Sequence, residues 1–132
     1  MSDYLFAYGT LAEKPPAEIS AVVGQLKFIG EGYVFGRLYD VGEYPGAVLD
    51  GGTRSRVFGK IFQLSSDRSV LKQLDTYEGF DPTHPGTSLF VRKRASISRP
   101  KQPPLRAWIY EYNKEVGSLP LIKSGHYAKA YA

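Results

Sequence analysis

Two places in this chain combine residue type and spacing in a way that could do chemistry: the acid Glu78 and the glycine turn Tyr8-Gly9-Thr10-Leu11. Glu78 closes the stretch SDRSVLKQLDTYEG, residues 66–79. It follows Leu74 by four residues and Leu71 by seven, so helical spacing puts its carboxylate on the stripe of Val70, Leu71 and Leu74. A carboxylate aimed inward loses hydration, which favours its neutral form and raises its pKa. Such a group takes up and returns a proton near neutral pH. The opposing reading leaves Glu78 in a frayed last turn, facing water. At the other place, a glycine directly after a strand marks a sharp bend or a close backbone approach. Consecutive N–H groups after such a bend can converge on an anion, although an ordinary strand-ending turn has the same letters. Tyr110 is a third candidate. It lies between Trp108 and Tyr112 on one face of AWIYEY; such a stripe is usually core, and a phenol in need of a partner there can wall a polar pocket.

The elements around these residues follow from pattern. Ser66 suits a helix N-cap, Asp67 suits the positive end of the helix dipole, and Gly79 stands where a helix stops. Tyr4 to Tyr8 reads as a buried strand that delivers Gly9. Pro15 and Pro16 precede AEISAVVG, a short helix with Ile19, Val22 and Val23 on one stripe. From Gln25 to Leu49, aromatic residues alternate with glycines, which suggests strongly bent strands in a small barrel. Tyr44-Pro45-Gly46 signals a turn, and Ala47 to Leu49 resumes a strand. Asp50-Gly51-Gly52 predicts a hairpin to Val57–Phe62, a strand apolar on both faces and therefore central. Residues 79–88 hold two prolines and two glycines and read as a loop, placed to act as a rim or flap over Glu78. Leu89 to Ile97 is a strand, Arg99 to Pro104 a proline-rich connection, and Ala107 to Tyr112 the last clear strand.

Composition bounds the rest. The 132 residues, 42% of them apolar, suit a single domain spanning 1–132 with a real core. With no cysteine there is neither a disulfide frame nor thiolate chemistry. His84 and His126 are the only histidines, which argues against a metal site, and no cofactor is expected. No basic segment with a long apolar run opens the chain, and no apolar run is of membrane-spanning length, so a soluble, cytoplasmic protein is expected. Six basic residues and no acid lie between Arg92 and Arg106, suited to an acidic partner or to a solvated strand edge. The stretch lacks the aromatic and basic interleaving of base-stacking proteins, and no nucleic-acid partner is expected.

Taken together, Tyr8-Gly9-Thr10-Leu11 resembles the YG[ST]L signature, and Leu74-Asp75-x-Tyr77-Glu78-Gly79 the LDxYEG motif, of the gamma-glutamylcyclotransferase-like superfamily, of the AIG2-like or gamma-glutamylamine cyclotransferase type. Gly36–Tyr39, Tyr44–Gly46, Val57–Phe62, Ala107–Tyr110 and Ile122–Gly125 extend the resemblance, in order, over nearly the whole chain. Phe90 departs from it, standing where many members have tyrosine, and the loop from Phe80 to Ser88 is long. The resemblance implies an α+β fold, a small bent mixed β-barrel of about five or six strands with packed short helices. It implies that the YGTL turn and Glu78 face one cavity, and that a gamma-glutamyl amine or dipeptide loses 5-oxoproline there without a cofactor. Glu78 is then the general acid/base, the backbone of Tyr8, Gly9, Thr10 and Leu11 binds substrate, and Tyr110 hydrogen-bonds substrate or Glu78. A non-catalytic module that holds a carboxylate metabolite on the same fold is the competing expectation.

Overall fold

The computed structural model describes residues 3–9 and 17–127. Among these residues, six strands and two helices run in the order β1 (Tyr4–Ala7), α1 (Ala17–Val23), β2 (Lys27–Asp40), β3 (Pro45–Leu49), β4 (Arg56–Gln63), α2 (Arg68–Tyr77), β5 (Phe90–Arg99) and β6 (Gln102–Tyr112), with one 3-10 turn at Pro85–Thr87. The sheet order is β3-β2-β4-β1-β6-β5, and a β2–β5 contact at Tyr33 and Ser98 bends it into a barrel. All pairings are antiparallel except β1 with β6. Gly32 makes the closure feasible, because a Cβ there would stand 2.5 Å from the Ser98 carbonyl oxygen.

Strand alternation sorts the apolar residues into two cores. Phe6, Tyr8, Val34, Leu38, Val57, Ile61, Ile97 and Ile109 fill the barrel. Leu5, Ala7, Phe62, Phe90 and Tyr110 point the other way, where Ile19 and Val22 of α1 and Val70 and Leu74 of α2 cover them. Fully burying a side chain such as Leu74 is worth about 1.5–3 kcal/mol, so this face fixes α2 on the sheet. The expected aromatic stripe of β6 belongs to this second core.

Four local expectations need correction. The N-cap of α2 is Asp67, whose carboxylate accepts from the Ser69 N–H at 2.9 Å, and not Ser66. β3 does not form a hairpin with β4. It pairs with the second half of β2, while β4 takes the first half and β1, because β2 is long enough to serve both. Pro45 and Gly46 already belong to β3. The Arg99–Pro104 connection contracts to a two-residue turn with Lys101 at φ 58, and Pro103 and Pro104 lie in the exposed start of β6. β4 is central, as expected. Among the described residues no helix is long and apolar enough to cross a membrane.

The basic stretch is largely engaged at home. Arg92 pairs with Asp75, Lys93 with Glu111, and Arg94 with Asp3, while Arg99 donates to the Pro103 carbonyl. His84 lies exposed against Asp81, and His126 stacks on Phe58.

Candidate active site

The end of α2 sets the position of Glu78. The Glu78 N–H still bonds the Leu74 carbonyl at 2.9 Å, so the residue is the C-cap rather than a loose tail. Gly79 then takes φ 70, its N–H bonds Thr76, and the Phe80 N–H reaches back to Asp75, closing the helix in a Schellman turn. This turn holds the root of the side chain in a fixed direction, toward a cavity of about 310 Å³.

Six described elements contribute to that cavity. β1 and its continuation supply Leu5 to Gly9, and α1 supplies Glu18. β3 supplies Pro45 and the turn before it Glu43 and Tyr44; the end of α2 supplies Tyr77 and Glu78; Phe90 of β5 and Tyr110 of β6 close the wall. Glu78 and Gly9 thus face one hollow. Thr10 and Leu11 lie outside the described residues. Gly9 is required by packing: a Cβ there would stand 2.9 Å from Pro45 Cγ and 3.1 Å from Cδ.

Burial pushes the Glu78 carboxyl up to about 7. Its place at the C-terminal end of α2 acts in the same direction, since helix-end carbonyls disfavour an anion. Among the described residues no side chain or backbone N–H donates to this carboxylate. It lies close enough to Tyr8, Tyr44 and Tyr110 for its charge to oppose their ionisation. A carboxyl with a free lone pair, enclosed among phenols and titrating near neutrality, has what a proton carrier needs.

The Tyr8 and Tyr110 hydroxyls are both engaged within the fold. Tyr110 lines the cavity, but its hydroxyl donates to Asp75 Oδ1 at 2.7 Å and not to Glu78. The Tyr8 hydroxyl donates to the Tyr110 carbonyl and accepts from the Ala47 N–H at 3.1 Å, tying β1, β6 and β3 together. Burial raises the pKa of both phenols far above the ordinary tyrosine value, so both stay neutral.

Behind Tyr110 lies a network that sequence reasoning passed over. Asp75 is buried and accepts from Tyr110 and from Arg92 Nη2 at 3.3 Å. Arg92 Nε lies 2.9 Å from Asp75 Oδ1, within ion-pair range though not aligned for a hydrogen bond. The guanidinium sits over the Trp108 ring at 4.4 Å and the Phe80 ring at 5.8 Å. Asp75 is three residues before Glu78 on the same helix, so the network locks the turn that carries the acid. The signal was present: Asp75 is four residues after Leu71, on the apolar side of α2.

The loop 80–88 is not a flap, since none of residues 81–88 lines the cavity. It folds on itself through Asp81, Thr83, His84 and Ser88, and is held to the end of β6 by Asn113, which donates to Pro85 and Ser88. Glu18 and Glu43, both exposed, line the cavity instead. Among the described residues no group of three or more acids and histidines could hold a metal ion.

Residues 5–129 match the family model of gamma-glutamyl cyclotransferase, AIG2-like. The chain is 32% identical over 123 residues to the gamma-glutamylcyclotransferase family protein YtfP of Escherichia coli K12, covering 92% of each. The fold recurs in an AIG2-like protein from Mus musculus, with a TM-score of 0.70 and 20% identity over 92% of this chain and 86% of that one. It recurs in YkqA from Bacillus subtilis, with a TM-score of 0.72 and 18% identity over 98% of this chain; here the chain spans only 40% of the larger protein.

Proposed function

The chain belongs to the AIG2-like gamma-glutamyl cyclotransferase family, and from that premise we propose that it releases 5-oxoproline from a gamma-glutamyl amine or dipeptide, with Glu78 as the general acid/base. The observation that carries this reading is the enclosed Glu78 carboxyl, unpartnered among the described residues and raised to about 7, in the hollow that also takes the backbone at Gly9.

The reaction makes one C–N bond and breaks another. The substrate's α-amine attacks its own γ-carbonyl carbon, a tetrahedral intermediate forms, and the amide nitrogen leaves as a free amine. No enzyme nucleophile is required, which suits a chain without cysteine. Ring closure is intramolecular, so a cavity that holds the folded glutamyl conformer supplies much of the acceleration. Proton transfer remains. The α-ammonium gives one proton to the Glu78 carboxylate before the nitrogen attacks, and the resulting carboxylic acid passes it to the departing nitrogen; the second proton, shed as the attacking nitrogen becomes the lactam N–H, is taken by the regenerated carboxylate and follows to the amine, which leaves as its ammonium ion. A pKa of about 7 serves both directions, because neither the acid nor its conjugate base is strongly disfavoured at neutral pH. The backbone around Tyr8 and Gly9 receives the substrate carboxylate or the developing oxyanion. Tyr110 and Tyr8 hold the walls, and the Asp75–Arg92 pair positions α2.

The test is an assay of 5-oxoproline release over a panel of gamma-glutamyl amines and dipeptides, with Glu78→Gln alongside. Turnover by the wild type and its loss in the variant are expected. Substrate binding without any 5-oxoproline would instead favour a binding module.

A further inference from the structure

Tyr8, Tyr44 and Tyr110 all lie within reach of the Glu78 charge, but their hydroxyls differ in what they do. Those of Tyr8 and Tyr110 are engaged inside the fold, with the Ala47 N–H, the Tyr110 carbonyl and Asp75. The Tyr44 hydroxyl has no hydrogen-bond partner among the described residues, and Tyr44 lines the same cavity. Its ring is anchored all the same. It packs on Phe90 with centroids 5.8 Å apart, and the next residue, Pro45, abuts Gly9 so closely that a Cβ there would stand 2.9 Å from Pro45 Cγ. Tyr44 is thus neighbour to both poles of the reaction, to the Gly9 backbone through Pro45 and to the Glu78 carboxyl through its charge. Partial burial, and then Tyr112, Glu43 and Glu78 beside it, hold the phenol above the ordinary tyrosine value, so it stays protonated and can donate.

Resting on the proposed reaction, we infer that Tyr44 is a second catalytic residue, whose hydroxyl donates a hydrogen bond to the substrate's γ-carbonyl oxygen as that oxygen takes on negative charge. A donor without a partner in the free protein has no internal bond to give up when substrate arrives. Charge decides which substrate oxygen it meets. The α-carboxylate is a permanent anion, and the Tyr44 hydroxyl lies in the field of Glu43 and Glu78, a poor place for one. The carboxylate therefore goes to the backbone around Tyr8 and Gly9. The γ-carbonyl is neutral in the ground state, and its oxygen becomes an anion only in the tetrahedral intermediate. By then Glu78 has taken the first α-ammonium proton and is itself neutral. Glu43 is exposed, and water and salt screen its share. The main charge that opposes an anion beside Tyr44 is thus removed when the oxyanion needs its donor. No proton leaves the tyrosine: the hydrogen bond tightens as the intermediate forms and relaxes as the carbonyl is restored in the lactam. Because the contact is stronger in the transition state than in the ground state, it acts on kcat rather than on KM.

Tyr44→Phe tests this, since it keeps the ring on Phe90 and removes only the hydroxyl. With a gamma-glutamyl amine as substrate, kcat for 5-oxoproline release should fall roughly 10- to 100-fold while KM stays within about twofold. The limb of kcat/KM against pH should stay centred at about 7, because burial and not Tyr44 raises Glu78. Rates are taken well below the melting temperature of each protein and per folded protein as measured by circular dichroism, so a loss of packing does not enter kcat. An unchanged kcat, a loss confined to KM, or a displaced pH limb would each overturn the inference while the cyclotransfer reading stands. The second result would place the hydroxyl on the α-carboxylate, and the third would mean that it acts through Glu78. No 5-oxoproline from the wild type would overturn both.

Discussion

Exchanging Glu78 for glutamine should move activity and stability in opposite directions. Glutamine keeps the shape of the side chain and removes the titration. In the folded protein the Glu78 carboxyl titrates at about 7, against 4.5 for the free group. A shift of that size corresponds to roughly 3 kcal/mol against the ionised form, and partial exposure to solvent reduces the effective value to about 2 kcal/mol. Between those two pH values the folded state binds the extra proton, so stability falls as pH rises through the window. The cost is absent below about 4.5 and complete above about 7. Glu78→Gln should therefore melt with the wild type at pH 4 and several degrees above it at pH 8, as followed by thermal unfolding. The same substitution should lower kcat/KM for 5-oxoproline release by roughly 10² to 10⁴. Melting temperatures that coincide at pH 8, or turnover at the wild-type rate, would refute the reasoning.

The network behind the acid and the packing at the turn give three further expectations. Asp75→Ala leaves Arg92 and the Tyr110 hydroxyl without their buried partner and should cost about 3–5 kcal/mol in urea unfolding. Tyr8→Phe removes the bonds to the Tyr110 carbonyl and the Ala47 N–H; it should cost about 1–3 kcal/mol of stability in the same experiment, with a far smaller effect on kcat than Glu78→Gln. Gly9→Ala drives a methyl group into the Pro45 ring and should raise KM for gamma-glutamyl substrates, with a stability loss of about 1–3 kcal/mol by thermal melting.

What could be read from the letters was local. The four-residue step from Leu74 to Glu78 and the glycine after it placed the acid at the end of α2 on the apolar side, where the structure has it. The strand before Gly9 and the central position of β4 were equally legible, because alternation and two-sided apolarity leave a direct mark. Pairing partners left no such mark. The Asp50-Gly51-Gly52 turn looks like a hairpin, yet β3 joins β2, a choice set by the length of β2 and by barrel closure. Hydroxyl partners were hidden for a similar reason. That Tyr110 serves Asp75 depends on β5 carrying Arg92 beside it, a contact between residues 17 apart in sequence. The loop 80–88 adjoins Glu78 in sequence but is drawn away by Asn113, so chain proximity misplaced it.

The pH dependence of kcat/KM for 5-oxoproline release tests the central claim most directly. With a gamma-glutamyl amine as substrate, activity should rise with pH along a limb centred at about 7, the value at which Glu78 gains its charge. A limb centred near 4.5, or a rate constant across this range, would mean that Glu78 does not carry the proton.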